Sequence, residues 1–166
     1  MFAVVLAGCG VGGARTTGER IPSKPLSASH RGCPSQDRRK PVSTALAANA
    51  SLVPGHPNAV LLCRYTGLND PRRFTLVSHR LISSHTTVDR LAHALDSLPK
   101  FRPGTTLSCP ADFGDTMIAF FRYPNGPDDP VTVGLSGCGA TTNGQLTRLA
   151  LGQRPPAAEL EALVPR

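Results

Sequence analysis

The chain has 166 residues, 40% of them hydrophobic, but 16 glycines, 16 prolines and only 5% aromatics leave poor material for a large core. The net charge of +7 sits mainly outside any fold: residues 10–57 carry seven basic and two acidic side chains, residues 58–150 nine and seven. No basic face interleaved with stacking aromatics is present, so no nucleic acid is expected as partner.

At the amino terminus, the apolar run Phe2, Ala3, Val4, Val5 and Leu6 ends in Leu6-Ala7-Gly8-Cys9. This tetrapeptide resembles the lipobox of bacterial lipoproteins. The resemblance implies that Cys9 receives a diacylglyceryl group after cleavage of the bond before it, with membrane lipid as a partner. The run lacks the basic residues that precede it in that family, which leaves room for a natural start upstream of Met1. The same stretch matches G-x-G-x-x-G at Gly8, Gly10 and Gly13. A dinucleotide site needs a helix directly after those glycines and a second strand ending in an acid. Residues 14–40 offer neither, so the lipobox reading is preferred. No later stretch approaches the roughly eighteen apolar residues of a spanning helix.

Residues 10–57 read as a flexible linker rich in Gly, Pro, Ser and basic residues, with at most a brief helical turn over Ala45 to Leu52. Cys33 lies inside it and reads as an incidental residue without a fixed partner. Pairing of Cys33 with Cys63 would complete the cysteine set if the linker packed back.

The folded domain is expected over residues 58–166. Ala59 to Tyr65 is a continuous apolar run, the pattern of a central strand. Phe74 to Ile82 follows as its hairpin partner, with Phe74, Leu76, Ser78, Arg80 and Ile82 on one face. Val88, Leu91, Ala92, Leu95 and Leu98 then recur at three and four residues, one apolar stripe of a helix. Thr86 and Asp89 have the spacing of a capping box, and Pro99 ends the run.

Two further strands are expected over Met117 to Tyr123 and Val131 to Ser136, joined by the turn block Pro124 to Pro130. Cys109 precedes the first and Cys138 follows the second, so pairing the strands brings the sulfurs to one end of the hairpin. A disulfide between them is expected. Asn143-Gly144 marks a turn before a short strand within Gln145 to Leu151. Pro155 to Leu163 reads as a final short helix. The fold class is α+β: an antiparallel sheet of four to five strands with one long and one short helix on one face.

Cys63-Arg64-Tyr65, Gly67-Leu68-Asn69, Leu95 to Pro99, Cys109-Pro110, Phe121-Arg122-Tyr123 and Asn143-Gly144 together resemble uncharacterised secreted or lipid-anchored proteins of actinobacteria. That resemblance implies a compartment and no activity. The order of helix, Cys-Pro segment, strand hairpin and closing cysteine is more distantly similar to the Streptomyces subtilisin inhibitor family. It implies a protease-facing loop at Pro110, Ala111, Asp112 and Phe113, although the family's other disulfide has no matching cysteines here.

Candidate chemistry is sparse. His85, Asp89 and His93 share a helix face, a pattern that more often marks a solvated surface than a metal site. Gly134-Leu135-Ser136-Gly137-Cys138 lacks the last glycine of a nucleophile elbow and the sheet that motif requires. Asp112, Asp115, Asp128 and Asp129 occupy turns, where Asp is favoured for local hydrogen bonds. Arg64, Tyr65, Asn69, Arg122 and Tyr123 form a candidate binding surface, because Arg and Tyr are frequent hot-spot types. No catalysis, metal or cofactor is expected. The reading is a lipid-anchored or secreted binding domain on the outer face of the cytoplasmic membrane, its partner an unidentified protein or small ligand. The alternatives are a subtilisin-type protease inhibitor and a small secreted enzyme or metal-binding domain.

Overall fold

The structure, a computed structural model, describes residues 32–37, 51–100, 104, 106–150 and 155–165. Cys9 and the turn expected near Ala45 lie outside the described residues. Six strands and two helices occur among the described residues: β1 (Ala59–Tyr65), β2 (Leu76–Ile82), α1 (His85–Asp96), β3 (Thr116–Arg122), β4 (Asp129–Gly134), β5 (Ala140–Thr142), β6 (Thr147–Leu149) and α2 (Pro155–Leu163). The strands form one antiparallel sheet in the order β2-β1-β3-β4-β5-β6. The fold is therefore α+β, with six strands where the sequence suggests four to five.

β1 is the apolar run that needs cover on both faces, and the sheet gives it neighbours on both edges. Because β2 and β3 each run antiparallel to β1, they are parallel to one another, and α1 makes the crossover between them. On one face Val60, Leu62, Met117, Phe121, Val131 and Val133 pack against Val88, Leu91 and Leu95 of α1 and Leu160 of α2. Each fully buried aliphatic side chain there contributes about 1.5–3 kcal/mol of transfer free energy. On the other face Leu61, Cys63, Tyr65 and Ile118 make a second, smaller cluster.

Cys33, read from sequence as incidental, is bonded to Cys63. The residues beside it lie along the end of β2: the Asp37 amide donates to the Phe74 carbonyl at 2.9 Å and the Leu76 amide to the Ser35 carbonyl at 3.1 Å. The Tyr65 hydroxyl donates to the Pro34 carbonyl at 3.0 Å. A second piece of the stretch read as linker is also packed, with Leu52 fully buried. Its anchor is Asp96, whose carboxylate accepts from the Ser51 hydroxyl and from the Leu52 amide at 2.5 Å.

Two local expectations are corrected. The helix begins one turn ahead of the apolar stripe, with Ser84 at the N-cap and no side-chain cap hydrogen bond, so Thr86 and Asp89 make no capping box. In β2 the register shifts: Arg64 faces Ser78 but Tyr65 faces Leu76, leaving Val77 as an extra residue. That bulge reverses the alternation. Leu76 consequently joins Tyr65 on the smaller cluster, while Ile82 packs with the main core.

A cleft walled by the stapled loop

The segment between α1 and β3 carries few apolar residues, and from Ser108 to Phe113 every side chain is exposed. It is nonetheless fixed on two sides. On one side Cys109 is bonded to Cys138, with a Cα–Cα distance of 5.0 Å. The Asp112 carboxylate accepts from the Ser136 hydroxyl at 2.6 Å and the Gly114 amide at 2.8 Å, while Ser136 Oγ accepts from the Phe113 amide at 3.0 Å. Gly137, at φ 65°, lies where a Cβ would come within 2.8 Å of the Asp112 Cβ, so only glycine fits.

On the other side the loop continues the pairing of β1 with β3. Tyr65 faces Thr116, which sets Phe113 to Asp115 alongside the residues just after β1. The Leu68 amide donates to the Phe113 carbonyl at 2.6 Å. At Gly67 a Cβ would lie 2.1 Å from that same carbonyl oxygen, so the close approach depends on glycine.

Between the loop and the end of β1 opens a cleft of about 430 Å³. Arg64, Tyr65 and Asn69 of the candidate surface line it together with Asp70 and Val77, and Phe113 and Asp115 form the facing wall. Among the described residues four large apolar side chains are exposed: Leu68, Val77, Leu81 and Phe113. Two of these line the cleft and Leu68 lies between its lining residues Gly67 and Asn69, so the apolar exposure concentrates at this rim.

Arg122 and Tyr123 lie elsewhere, at the far end of β3, where Arg122 faces Ala59 and approaches Asp128 at 3.6 Å. Burial, with smaller contributions from Asp129 and Asp96, pushes the Tyr123 hydroxyl up to about 12. Asp129 is itself pushed above the usual carboxylate range by burial. The five candidate residues thus fall into two groups at opposite ends of the β1–β3 pair.

Within the cleft, two of the predicted side chains are already engaged. Arg64 is 4% exposed; its guanidinium meets Glu161 of α2 at 2.7 Å and donates to the Val164 carbonyl at 3.2 Å. Burial first, and then the Asp37 carboxylate, push the Tyr65 hydroxyl up to about 12, so it stays protonated as a donor to Pro34. Their contribution is to hold the cleft's floor. Phe113 and Asp115, which sequence reasoning did not connect with β1, supply the wall. The signal lies in pairing β1 with β3 and extending it past Tyr65, which requires knowing that those strands are neighbours.

His85, Asp89 and His93 are exposed on α1. Among the described residues no group of three or more His, Cys, Asp or Glu side chains is placed to hold a metal ion. Ser136 serves as a hydrogen-bond bridge to the loop.

No family model, curated protein or solved structure matches the chain. The geometry defines a disulfide-stapled α+β domain with one preordered loop and an adjoining cleft. The two bridges are compatible with an extracytoplasmic domain, since disulfides persist in oxidising compartments. No helix among the described residues is long and apolar enough to cross a membrane.

Proposed function

We propose that the chain is an extracytoplasmic binding domain, anchored to the membrane through a lipid on Cys9, that docks a partner on the cleft and the Pro110 to Phe113 loop without catalysing a reaction. The carrying observation is the coincidence of exposed apolar side chains with preordered backbone. Leu68, Val77 and Phe113 gather at one rim, and the disulfide and the Asp112–Ser136 bond fix the loop before any partner arrives. A fixed loop loses little conformational entropy on binding, and an exposed aromatic is a frequent binding anchor.

The test uses the full chain expressed with its own upstream sequence, carrying a photo-crosslinking residue at position 113 or, as control, at the exposed position 93 of α1. A discrete adduct at 113, weakened by Leu68→Asp and absent at 93, is the expected result. Equal labelling at the two positions, or none, would overturn the docking reading. The mass of the amino-terminal peptide decides the anchor separately: an unmodified Cys9 removes it.

A second reading, protease inhibition, is favoured by one feature. The exposed Pro110 to Phe113 segment directly follows a bridged cysteine and is held from both flanks. Stoichiometric inhibition of a subtilisin-type protease, with slow cleavage inside the loop, is its signature. No inhibition at micromolar excess removes it.

A further inference from the structure

We propose that Asn125 is a site of spontaneous covalent modification, converting to aspartate and isoaspartate through a cyclic imide, while the same dipeptide at Asn143 is spared. The chain contains two Asn-Gly pairs, Asn125-Gly126 and Asn143-Gly144. Glycine is the follower that least obstructs this chemistry, because it has no Cβ and lets the backbone take up the conformation that ring closure needs. As dipeptides the two sites are equivalent; the fold separates them. In the first step the Gly126 backbone nitrogen gives up its proton to solvent and bonds to Asn125 Cγ. The Cγ–Nδ2 bond breaks, and Nδ2 takes a proton from water and leaves as ammonia. Water then opens the imide at Cγ to give aspartate, or at the backbone carbonyl to give isoaspartate, in which the chain runs through the side chain. The sum is one amide and one water converted to one carboxylic acid and one ammonia.

Ring closure requires a side-chain amide that can swing and a backbone nitrogen that is not engaged. Asn125 and Gly126 meet both conditions. They are exposed on the turn between β3 and β4, and among the described residues no hydrogen bond holds the Asn125 side chain or the Gly126 amide. At Asn143 both groups are tied. Its Nδ2 donates to the Ser51 and Leu52 carbonyls at 3.3 Å each, and its Oδ1 accepts from the Gln145 amide at 3.1 Å and the Leu146 amide at 2.9 Å. The attacking nitrogen is held as well, since the Gly144 amide donates to Thr142 Oγ1 at 3.0 Å. An acid at position 143 would also set a carboxylate against two carbonyl oxygens, so the bonds that slow the reaction there make its product costly. At position 125 the product adds one carboxylate to an exposed turn. That turn leaves β3 at the end remote from the cleft, so this modification is independent of the docking reading.

The experiment incubates the folded full chain at mildly alkaline pH, beside the denatured chain and synthetic peptides spanning each site. Peptide mass mapping with fragment-ion localisation reads the conversion of each asparagine, and chromatography separates aspartate from isoaspartate. In the folded chain Asn125 is expected to convert at close to the rate of its free peptide. Asn143 is expected to convert at least about tenfold more slowly than its own, a factor within reach of the hydrogen bonds that hold it. Denaturation is expected to bring Asn143 up to the rate of Asn125. Both products should appear at position 125, because direct hydrolysis of the side chain gives aspartate alone. An intact Asn125 where its peptide converts, or equal rates at the two sites in the folded chain, would overturn the proposal. So would aspartate as the sole product, which excludes the imide, or an Asn143 that stays slow after denaturation, which removes the fold as the cause.

Discussion

The two disulfides close loops of nearly equal length, spanning 30 and 29 residues, yet serve different kinds of structure. On chain entropy alone each contributes about 3–4 kcal/mol through the unfolded state, so that contribution cannot distinguish them. What differs is the native environment. Cys63 is fully buried in a central strand and Cys33 packs on the smaller cluster, so this bridge completes a core. Cys109 is exposed and Cys138 half-buried, so the other bridge orders a surface. One staple supports the core directly; the other mainly orders an exposed loop.

The largest test deletes each bridge in turn. Cys33→Ala with Cys63→Ala is expected to cost more than the roughly 3–4 kcal/mol of loop entropy. Without the bridge, residues 33–37 are held chiefly by a few hydrogen bonds, and their loss uncovers Tyr65 and Cys63. Cys109→Ala with Cys138→Ala is expected to cost no more than that entropy, because Asp112, Ser136 and Leu68 still hold the loop. Denaturant unfolding measures both. Equal losses would break the contrast.

A kinetic test follows from access. A dithiol reductant must bring a thiolate in line with one sulfur; Cys109 is exposed, whereas Cys33 is half-buried and Cys63 fully buried. Cys109–Cys138 is expected to be reduced on the order of tenfold faster than Cys33–Cys63 in the folded protein. Timed alkylation and peptide mass mapping give the order of reduction.

How much of this contrast is legible in the sequence depends on the length of the signal. Ala59–Tyr65, His85–Asp96 and Thr116–Arg122 carry long apolar patterns, and the α+β class follows from them. The Cys109–Cys138 bridge is legible because a hairpin brings its ends together. Cys33–Cys63 is not, because residues 33–37 attach through backbone hydrogen bonds and carry little apolar patterning. Ala140–Thr142 is likewise hidden: three residues are too few to show a period, and the strand exists because Thr132 and Val133 of β4 offer it an edge. The cleft is half legible. Arg64, Tyr65 and Asn69 stand out by residue type, but the Phe113 wall arises from the β1–β3 register, a long-range property that local pattern does not encode.

The tyrosines carry the comparison into pH. The chain has two, and both are pushed from 10.0 to about 12 in the fold. Between those values the unfolded chain loses its phenolic protons while the folded protein keeps them. The unfolded state therefore binds fewer protons, and stability falls as pH rises from 10 towards 12. Ultraviolet titration of tyrosinate is expected to show Tyr65 ionising nearer 10 once Cys33 and Cys63 are replaced by Ala, because residues 33–37 no longer cover it and Asp37 departs with them. Replacing Cys109 and Cys138 is expected to leave it near 12. Tyr65→Phe identifies the step.

The smallest effect on stability is expected where the effect on the surface is large. Asp112 is exposed, and its carboxylate joins the half-buried Ser136 hydroxyl and the amide of the buried Gly114. A net hydrogen bond is worth about 0.5–1.5 kcal/mol, and Asp112→Ala should cost about that much in denaturant unfolding, less than the loss of either bridge. Those same bonds set the position of Phe113, whose amide depends on Ser136 Oγ. Hydrogen exchange at the Phe113 and Gly114 amides is therefore expected to accelerate well beyond the change in global stability, with exchange in β1 unaltered. Unchanged exchange at both amides would mean that the Cys109 bridge and the Leu68–Phe113 hydrogen bond hold the loop, and the Asp112 carboxylate would then add no order of its own.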